Sequence, residues 1–283
     1  MKITRPPIVD DLRELQGLAN RTALGSYPKL MQSYVAIKDQ YAAYSQHNGD
    51  PWKLNPTNLD TELSRRIKGH YDKPPKDCLT FIPETRYEMP TLICLMCGGF
   101  GMGTLDHYLP KDIYPEFALF SENLVPACNC NSLRGTAHKG TATPQRVIHP
   151  YFDQFIGDQL YQAKFDGDFE SPRISIEVID ENHPNFQTIQ FHLETVILND
   201  STQGWFEKYW GQLLVRPERI LKLVLPNNQL TEVTLSSSLQ DYKEAKDDEY
   251  DTPNNWFSML YSGLIADVPR VKELANIINR RRT

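Results

Sequence analysis

The sequence predicts an α+β protein, a mainly helical chain with a few short strands. Three observations point there. Apolar residues recur at helical spacing through much of residues 1–90. Beyond residue 151, runs that alternate as strands do are followed by further helical runs. Between these regions lies a cysteine-bearing stretch, 94–135, with a glycine-rich turn and short apolar runs. The expected divisions are an amino-terminal helical region at 1–90, a central unit at 91–150, and a mixed carboxy-terminal scaffold or partner-binding region at 151–283.

The elements follow in order. Asp10 and Asp11 precede Leu12, Leu15 and Leu18, apolar residues at helical spacing with acids in the first turn. From Met31 to Tyr44, the side chains of Tyr34, Ile37, Tyr41 and Tyr44 share one face, as a core stripe does. A third helix starts at an Asn58 or Asp60 cap and runs to about Gly69. It carries Arg65, Arg66 and Lys68, either a solvated face or contacts to a phosphate backbone. Residues 70–88 are rich in proline and charge and read as a loop. A helix is expected over Phe152–Lys164 and strands over Arg173–Ile179 and Thr188–Leu198, where apolar residues fall on alternate positions. Helices are then expected over Trp205–Val215, Glu218–Leu225, Trp256–Ile265 and Val268–Arg282. The acidic run Asp241–Asp251 reads as a solvated surface or linker.

Composition narrows the function. No apolar run approaches the ~20 residues of a membrane span, and the first residues lack the apolar stretch of a signal peptide. Five cysteines, an odd number with Cys78 left over, suit a reducing cytoplasm. Residues 1–90 hold 13 Lys/Arg against 11 Asp/Glu, residues 91–150 hold 4 of each, and residues 151–283 hold 13 against 21. Proteins that grip nucleic acid unaided carry a basic surplus. Here either basic residues such as Arg65, Arg66, Arg134, Lys139, Arg146 and Arg280–Arg282 converge in space, or a partner delivers the substrate.

Cys94 and Cys97 have two residues between them, and 30 residues separate Cys97 from Cys128, with Cys130 close behind. Two such pairs predict a closed structural zinc site of four thiolates, with His138 as a substitute ligand if the tight second pair fails. The competing reading is reduced thiols packed as small apolar residues. The glycines of GGFGMG, 98–103, lack the following helix of a dinucleotide-binding loop and read as a turn that needs positive φ angles.

The order of parts within 94–135 carries a resemblance. After the first cysteine pair come Asp106-His107 with Pro110 close behind, then Asn123-Leu124-Val125-Pro126, then Cys128, Cys130, Asn131 and Arg134-Gly135. This stretch, about a sixth of the chain, resembles the HNH endonucleases. The resemblance implies a unit of two short antiparallel strands, a loop and a helix around a metal. It implies that His107 is the general base, that Asp106 and Asn131 hold Mg2+ or Mn2+, and that Asn123 braces the loop orienting the base. The chemistry agrees: a histidine takes a proton near neutral pH, and a hard cation prefers carboxylate and amide oxygens. One departure stands out, since the family's second pair is CxxC and this one is shorter by a residue. Another concerns geometry: neighbouring strand residues point to opposite faces, so Asp106 and His107 must lie where a strand ends. His149–Asp153, HPYFD, is similar to the continuation in HNH proteins of bacterial anti-phage systems of the Septu and retron-associated type. That implies a cytoplasmic defence nuclease acting on nucleic acid, DNA sooner than RNA, beside an ATPase partner. His149 itself reads as structural, and Arg134, Lys139 and Arg146 as phosphate contacts. The alternatives are a zinc-stabilised binding or adaptor module with an inert HNH unit, and a stand-alone restriction or homing-type nuclease.

Overall fold

A computed structural model of the 283-residue chain describes residues 1–87, 92–101, 103–221 and 229–281. The described residues form an α+β mixture in which helices surround two separate antiparallel strand pairs. The first helices start where acidic caps predict. Asp10 accepts from the Arg13 amide at 3.0 Å and opens α1 (Asp11–Ala19). Asp60 accepts from the Leu63 amide at 3.1 Å and opens α3 (Thr61–Asp72). Between them α2 (Lys29–Gln46) buries Ile37, Tyr41 and Tyr44, with Tyr34 half-buried. The loop expected over 70–88 needs correction. Its first residues finish α3, and Phe81, Ile82 and Thr85 are spaced to face the core from a short helix, α4 (Phe81–Tyr87).

The central strands are β1 (Thr104–His107) and β2 (Leu124–Ala127), antiparallel with Thr104 opposite Ala127 and His107 opposite Leu124. A two-stranded ribbon of this kind is marginal alone. Here every residue of β2 is buried, and α5 (Cys130–Arg134) follows at once.

Past the centre the sequence misleads twice. The helix expected over 152–164 reduces to one 3-10 turn, Gln154–Gly157, and then β3 (Tyr161–Asp166). Tyr161 and Ala163 are buried while Lys164 is exposed, a period of two. β3 pairs with β4 (Arg173–Val178), Tyr161 opposite Val178. The strand expected over 188–198 is instead α6 (Phe186–His192), continued by a π-helical turn at Leu193–Ile197. Ile189, Leu193, Val196 and Ile197 are buried at spacings of three and four, so the apolar run satisfies a helix as well as a strand.

The remaining elements are α7 (Asp200–Val215), the short α8 (Pro217–Ile220), α9 (Glu232–Tyr250), α10 (Trp256–Ala266) and α11 (Val268–Arg280). The helix expected over Glu218–Leu225 falls partly outside the described residues. The acidic run 241–251 is no linker: all but its last residue belongs to α9. α10 lies directly on β3, where a Cβ at Gly263 would sit 1.9 Å from the Ala163 carbonyl oxygen. Among the described residues no helix is long and apolar enough to cross a membrane.

Candidate functional site

Two structures meet at the central strands: a cluster of four sulfurs and a polar cavity. The Sγ atoms of Cys94, Cys97, Cys128 and Cys130 all lie within 4.8 Å of one another. Cys94 is 3.6 Å from Cys130, and Cys97 is 3.5 Å from Cys128. Tetrahedral Zn–S bonds of ~2.3 Å place sulfurs ~3.8 Å apart, so these four thiols can hold a structural metal such as zinc. The shortened pair still brings both of its sulfurs into the cluster. The Cys130 amide turns back to the Cys128 sulfur at 3.4 Å, and the Cys128 amide points at the Cys94 sulfur at 3.3 Å. His138 is no substitute, being held by the Thr136 carbonyl at 2.9 Å and close to the Tyr114 hydroxyl at 3.5 Å. Cys78 sits apart beside Glu14.

The turn at Cys94–Gly99 closes on itself through the Cys94 amide to the Gly99 carbonyl, 2.8 Å, and the Gly98 amide to the Cys94 carbonyl, 3.0 Å. Its other carbonyls are taken from the carboxy-terminal third. His192 Nε2 donates to the Met96 carbonyl at 2.7 Å, and Trp256 Nε1 donates to the Cys97 carbonyl at 3.0 Å. The Trp256 amide donates to the Gly98 carbonyl at 3.2 Å. Gly98 has φ +74°, and a Cβ there would lie 2.0 Å from the Asn254 carbonyl oxygen. Glycine is required twice over, by conformation and by space.

The polar cavity, about 400 Å3, is lined by Asp106, His107, Asn131, Arg134, Lys111 and Tyr71 among others. β1 ends at His107, and there the alternation of faces lapses; Asp106 and His107 line the same space. His107 Nε2 lies 3.1 Å from the Ala118 carbonyl oxygen, an acceptor, so Nε2 carries the ring proton. None of the described residues hydrogen-bonds Nδ1. Tyr71 packs edge-on against the imidazole at 4.3 Å. Burial, helped by the Lys111 charge, pulls the His107 pKa from 6.5 to about 3, so the ring is neutral. A negative phosphate beside it raises that value again.

Asp106 takes the Arg134 guanidinium on Oδ1 at 2.5 Å, while its Oδ2 is buried and without a partner. Burial pushes its pKa up, opposed by Arg134. Asn131, half-buried in the first turn of α5, accepts only a 3.2 Å bond from the Ser132 hydroxyl on its Oδ1. Asp106, with its orphaned carboxylate oxygen, and Asn131 line one cavity, and their oxygens are of the kind a hard divalent cation takes. Asn123 does not reach the cavity. It is fully buried, and its amide bonds the Leu109 amide at 2.7 Å, the Leu109 carbonyl at 3.1 Å and the Phe117 carbonyl at 3.1 Å.

Several expected phosphate contacts have other work. Arg134 is buried, bonding the Ala137 and His107 carbonyls as well as Asp106. Arg146 forms a two-pronged pair with Asp153, both bonds 2.7 Å. Lys139 donates to the Pro51 carbonyl and lies over Trp52. Arg65 and Arg66 both turn to Glu62, Arg280 pairs with Glu273, and Arg281 bonds the Leu214 and Val215 carbonyls. Arg282 lies outside the described residues. His149 is buried and structural in its contacts, with Nε2 3.0 Å from the Tyr44 hydroxyl.

What the sequence did not reveal is the rim. Lys68 reaches Asp112 at 2.6 Å, and Lys111 reaches Asp72 at 3.1 Å, two ion pairs that tie α3 across the segment after β1. Lys111 also lies over the Tyr71 ring at 4.5 Å. Tyr71, one residue past the basic stretch of α3, carried no signal beyond a helical period.

No family model matches the chain, and no solved structure matches it. A stretch of 76 residues is 37% identical to Protein ea31 of Escherichia phage lambda. The match takes in 25% of this chain and 26% of that protein, so the shared part is about a quarter of the relative's length.

Proposed function

We propose that this chain is a metal-dependent endonuclease of the HNH type that hydrolyses phosphodiester bonds in nucleic acid, DNA in preference to RNA. One observation carries the reading. His107, with its tautomer set by the Ala118 carbonyl and its Nδ1 unbonded among the described residues, lines the same cavity as Asp106, whose Oδ2 is buried without a partner. The order strand, loop, strand and short helix beside a four-cysteine cluster supports it.

In this reading His107 Nδ1 takes the proton of the attacking water as the oxygen closes on phosphorus. Asp106 and Asn131 would hold Mg2+ or Mn2+, and the ion would supply charge neutralisation at the phosphate and the departing oxygen. Asn123 is a brace, and the four cysteines hold zinc in a purely structural role. The region 151–283, with its 21 acids against 13 bases, repels nucleic acid and suits a partner that presents the substrate. An ATPase in an anti-phage system of the cytoplasm is the partner this reading takes.

A second reading has one observation of its own. Arg134 already neutralises Asp106 inside the fold, which suits a zinc-stabilised binding or adaptor module whose HNH unit is inert. Supercoiled plasmid incubated with the purified protein and Mg2+ or Mn2+ separates the two. Nicking that His107→Ala reduces at least ~100-fold, with zinc content and fold unchanged, is the expected result for a lost general base. Equal nicking by both proteins removes His107 from the chemistry. No nicking by wild type, alone or with a co-encoded ATPase, favours the inert module.

A further inference from the structure

His107 can accept a proton on Nδ1 only while Nε2 keeps its own, and Nε2 keeps it by donating to the Ala118 carbonyl 3.1 Å away. Ala118 sits in the irregular segment between β1 and β2, where strand pairing fixes nothing. The position of its carbonyl depends on the side chain of Asn123. The Asn123 Nδ2 group donates to the Phe117 carbonyl, one residue before Ala118, and to the Leu109 carbonyl, both at 3.1 Å. Its Oδ1 accepts from the Leu109 amide at 2.7 Å and from the Tyr44 hydroxyl at 3.1 Å. The loop after the base is therefore stitched at both ends to one amide.

The next link lies outside the central strands. Tyr44 comes from α2, and its hydroxyl touches Asn123 Oδ1 and His149 Nε2, at 3.1 and 3.0 Å. A phenol has one proton to give, so the direction of these bonds matters. The His149 Nδ1 accepts from the Tyr151 amide at 3.3 Å, which leaves the neutral ring's proton on Nε2. His149 then donates to the Tyr44 oxygen, and the phenol proton is committed to Asn123 Oδ1. The Glu122 carbonyl, which the His149 ring also reaches, is a farther acceptor for the phenol at 3.4 Å. With its Oδ1 receiving two donors, the Asn123 amide cannot flip without setting N–H against N–H and O–H.

We propose that Tyr44 and His149 are positioning residues for His107, forming with Asn123 a proton-ordered chain that holds the base in its Nε2-protonated tautomer. This deepens, and rests on, the reading of His107 as the general base. The chain makes residues near 44 and 149 part of the site although neither reaches the cavity. It gives the amino-terminal helical region a chemical part in the reaction as well as a packing one.

The test uses the full chain. Tyr44→Phe removes one hydroxyl and keeps the ring that packs on Phe117 and Phe120. Nitrogen-15 spectra of histidine-labelled protein, with the His107 signal identified from His107→Ala, read the tautomer directly. The wild type should show one Nε2-protonated form, and Tyr44→Phe a mixture with the Nδ1-protonated form. Plasmid cleavage by Tyr44→Phe should fall about tenfold in kcat, the worth of one hydrogen bond, with KM within about twofold because no substrate contact is touched. His149→Phe should behave like Tyr44→Phe, and His149→Gln, which keeps an N–H donor, should recover most of the loss. An unchanged tautomer in Tyr44→Phe, or equal losses in His149→Phe and His149→Gln, overturns the proposal. A wild type that cuts nothing defeats the nuclease reading instead, and the tautomer measurement still decides the chain.

Discussion

Buried histidines make this fold sensitive to acid. His192 bridges two distant segments, accepting from the Ile148 amide at 3.1 Å and donating to the Met96 carbonyl at 2.7 Å. Accepting the Ile148 amide needs the neutral ring, and burial pulls its pKa from 6.5 to about 3. The folded value is depressed, so below pH 6.5 the unfolded chain takes up a proton that the folded chain refuses. The stability contributed is whole above 6.5 and drains away as pH falls toward about 3. Between pH 6 and 4.5 the unfolding free energy should fall by about 1.4 kcal/mol per pH unit for each such histidine. His107 adds to that slope, whereas Asp11, pushed up to about 6 by burial, opposes it. Urea titrations of wild type and His192→Gln at several pH values check this. The variant should lose one proton's worth of slope, and parallel lines would show that His192 does not titrate on unfolding. Sequence alone singled out His107 because its neighbours in the chain carried a pattern. His192 and Tyr44 carried none, since their partners lie 44 to 105 residues away.

At the scale of elements, legibility followed the strength of local chemistry. Asp10 and Asp60 announce their helices because capping is a contact three residues long. The run at 188–198 misled because consecutive apolar residues satisfy periods of two and 3.6 together, and burial of Thr188 and His192 on the helical face decided it. β3 was missed for the opposite reason, a polar Gln162 and Lys164 breaking a run too short to read. The cysteine turn was read correctly as needing glycine, but the tighter constraint came from another element. Gly98→Ala should therefore cost more than Gly103→Ala. Both have positive φ, +74° and +106°, worth about 1–2 kcal/mol of strain, but only Gly98 meets a backbone oxygen at 2.0 Å. Thermal unfolding should place the Gly98→Ala midpoint several degrees below that of Gly103→Ala, and equal midpoints would remove the packing argument.

For the molecule as a whole, the four-cysteine cluster is also a joint. Three successive carbonyls, Met96 to Gly98, accept bonds from His192 and Trp256. Such outer contacts hold ligands in place, and here they also fasten the carboxy-terminal helices to the centre. The purified protein should carry one zinc, and Cys94→Ser or a strong chelator should lower its melting temperature markedly. Loss of the ion should speed amide exchange in α10 as well as in the cysteine turn. Elemental analysis finding no zinc in freshly prepared protein would sink the assignment. The gathering of the four cysteines was legible from spacing alone. Their service as a joint was not, because its bonds span 96 and 159 residues.

The paired charges at the cavity mouth have a consequence of their own. Lys68 with Asp112 and Lys111 with Asp72 are partly exposed, the two carboxylates by 62% and 61%. Pairs of that kind are worth ~0–1 kcal/mol each and loosen in salt. Raised ionic strength should therefore loosen the tie between α3 and the segment after β1, and leave Lys68 and Lys111 free to meet other anions.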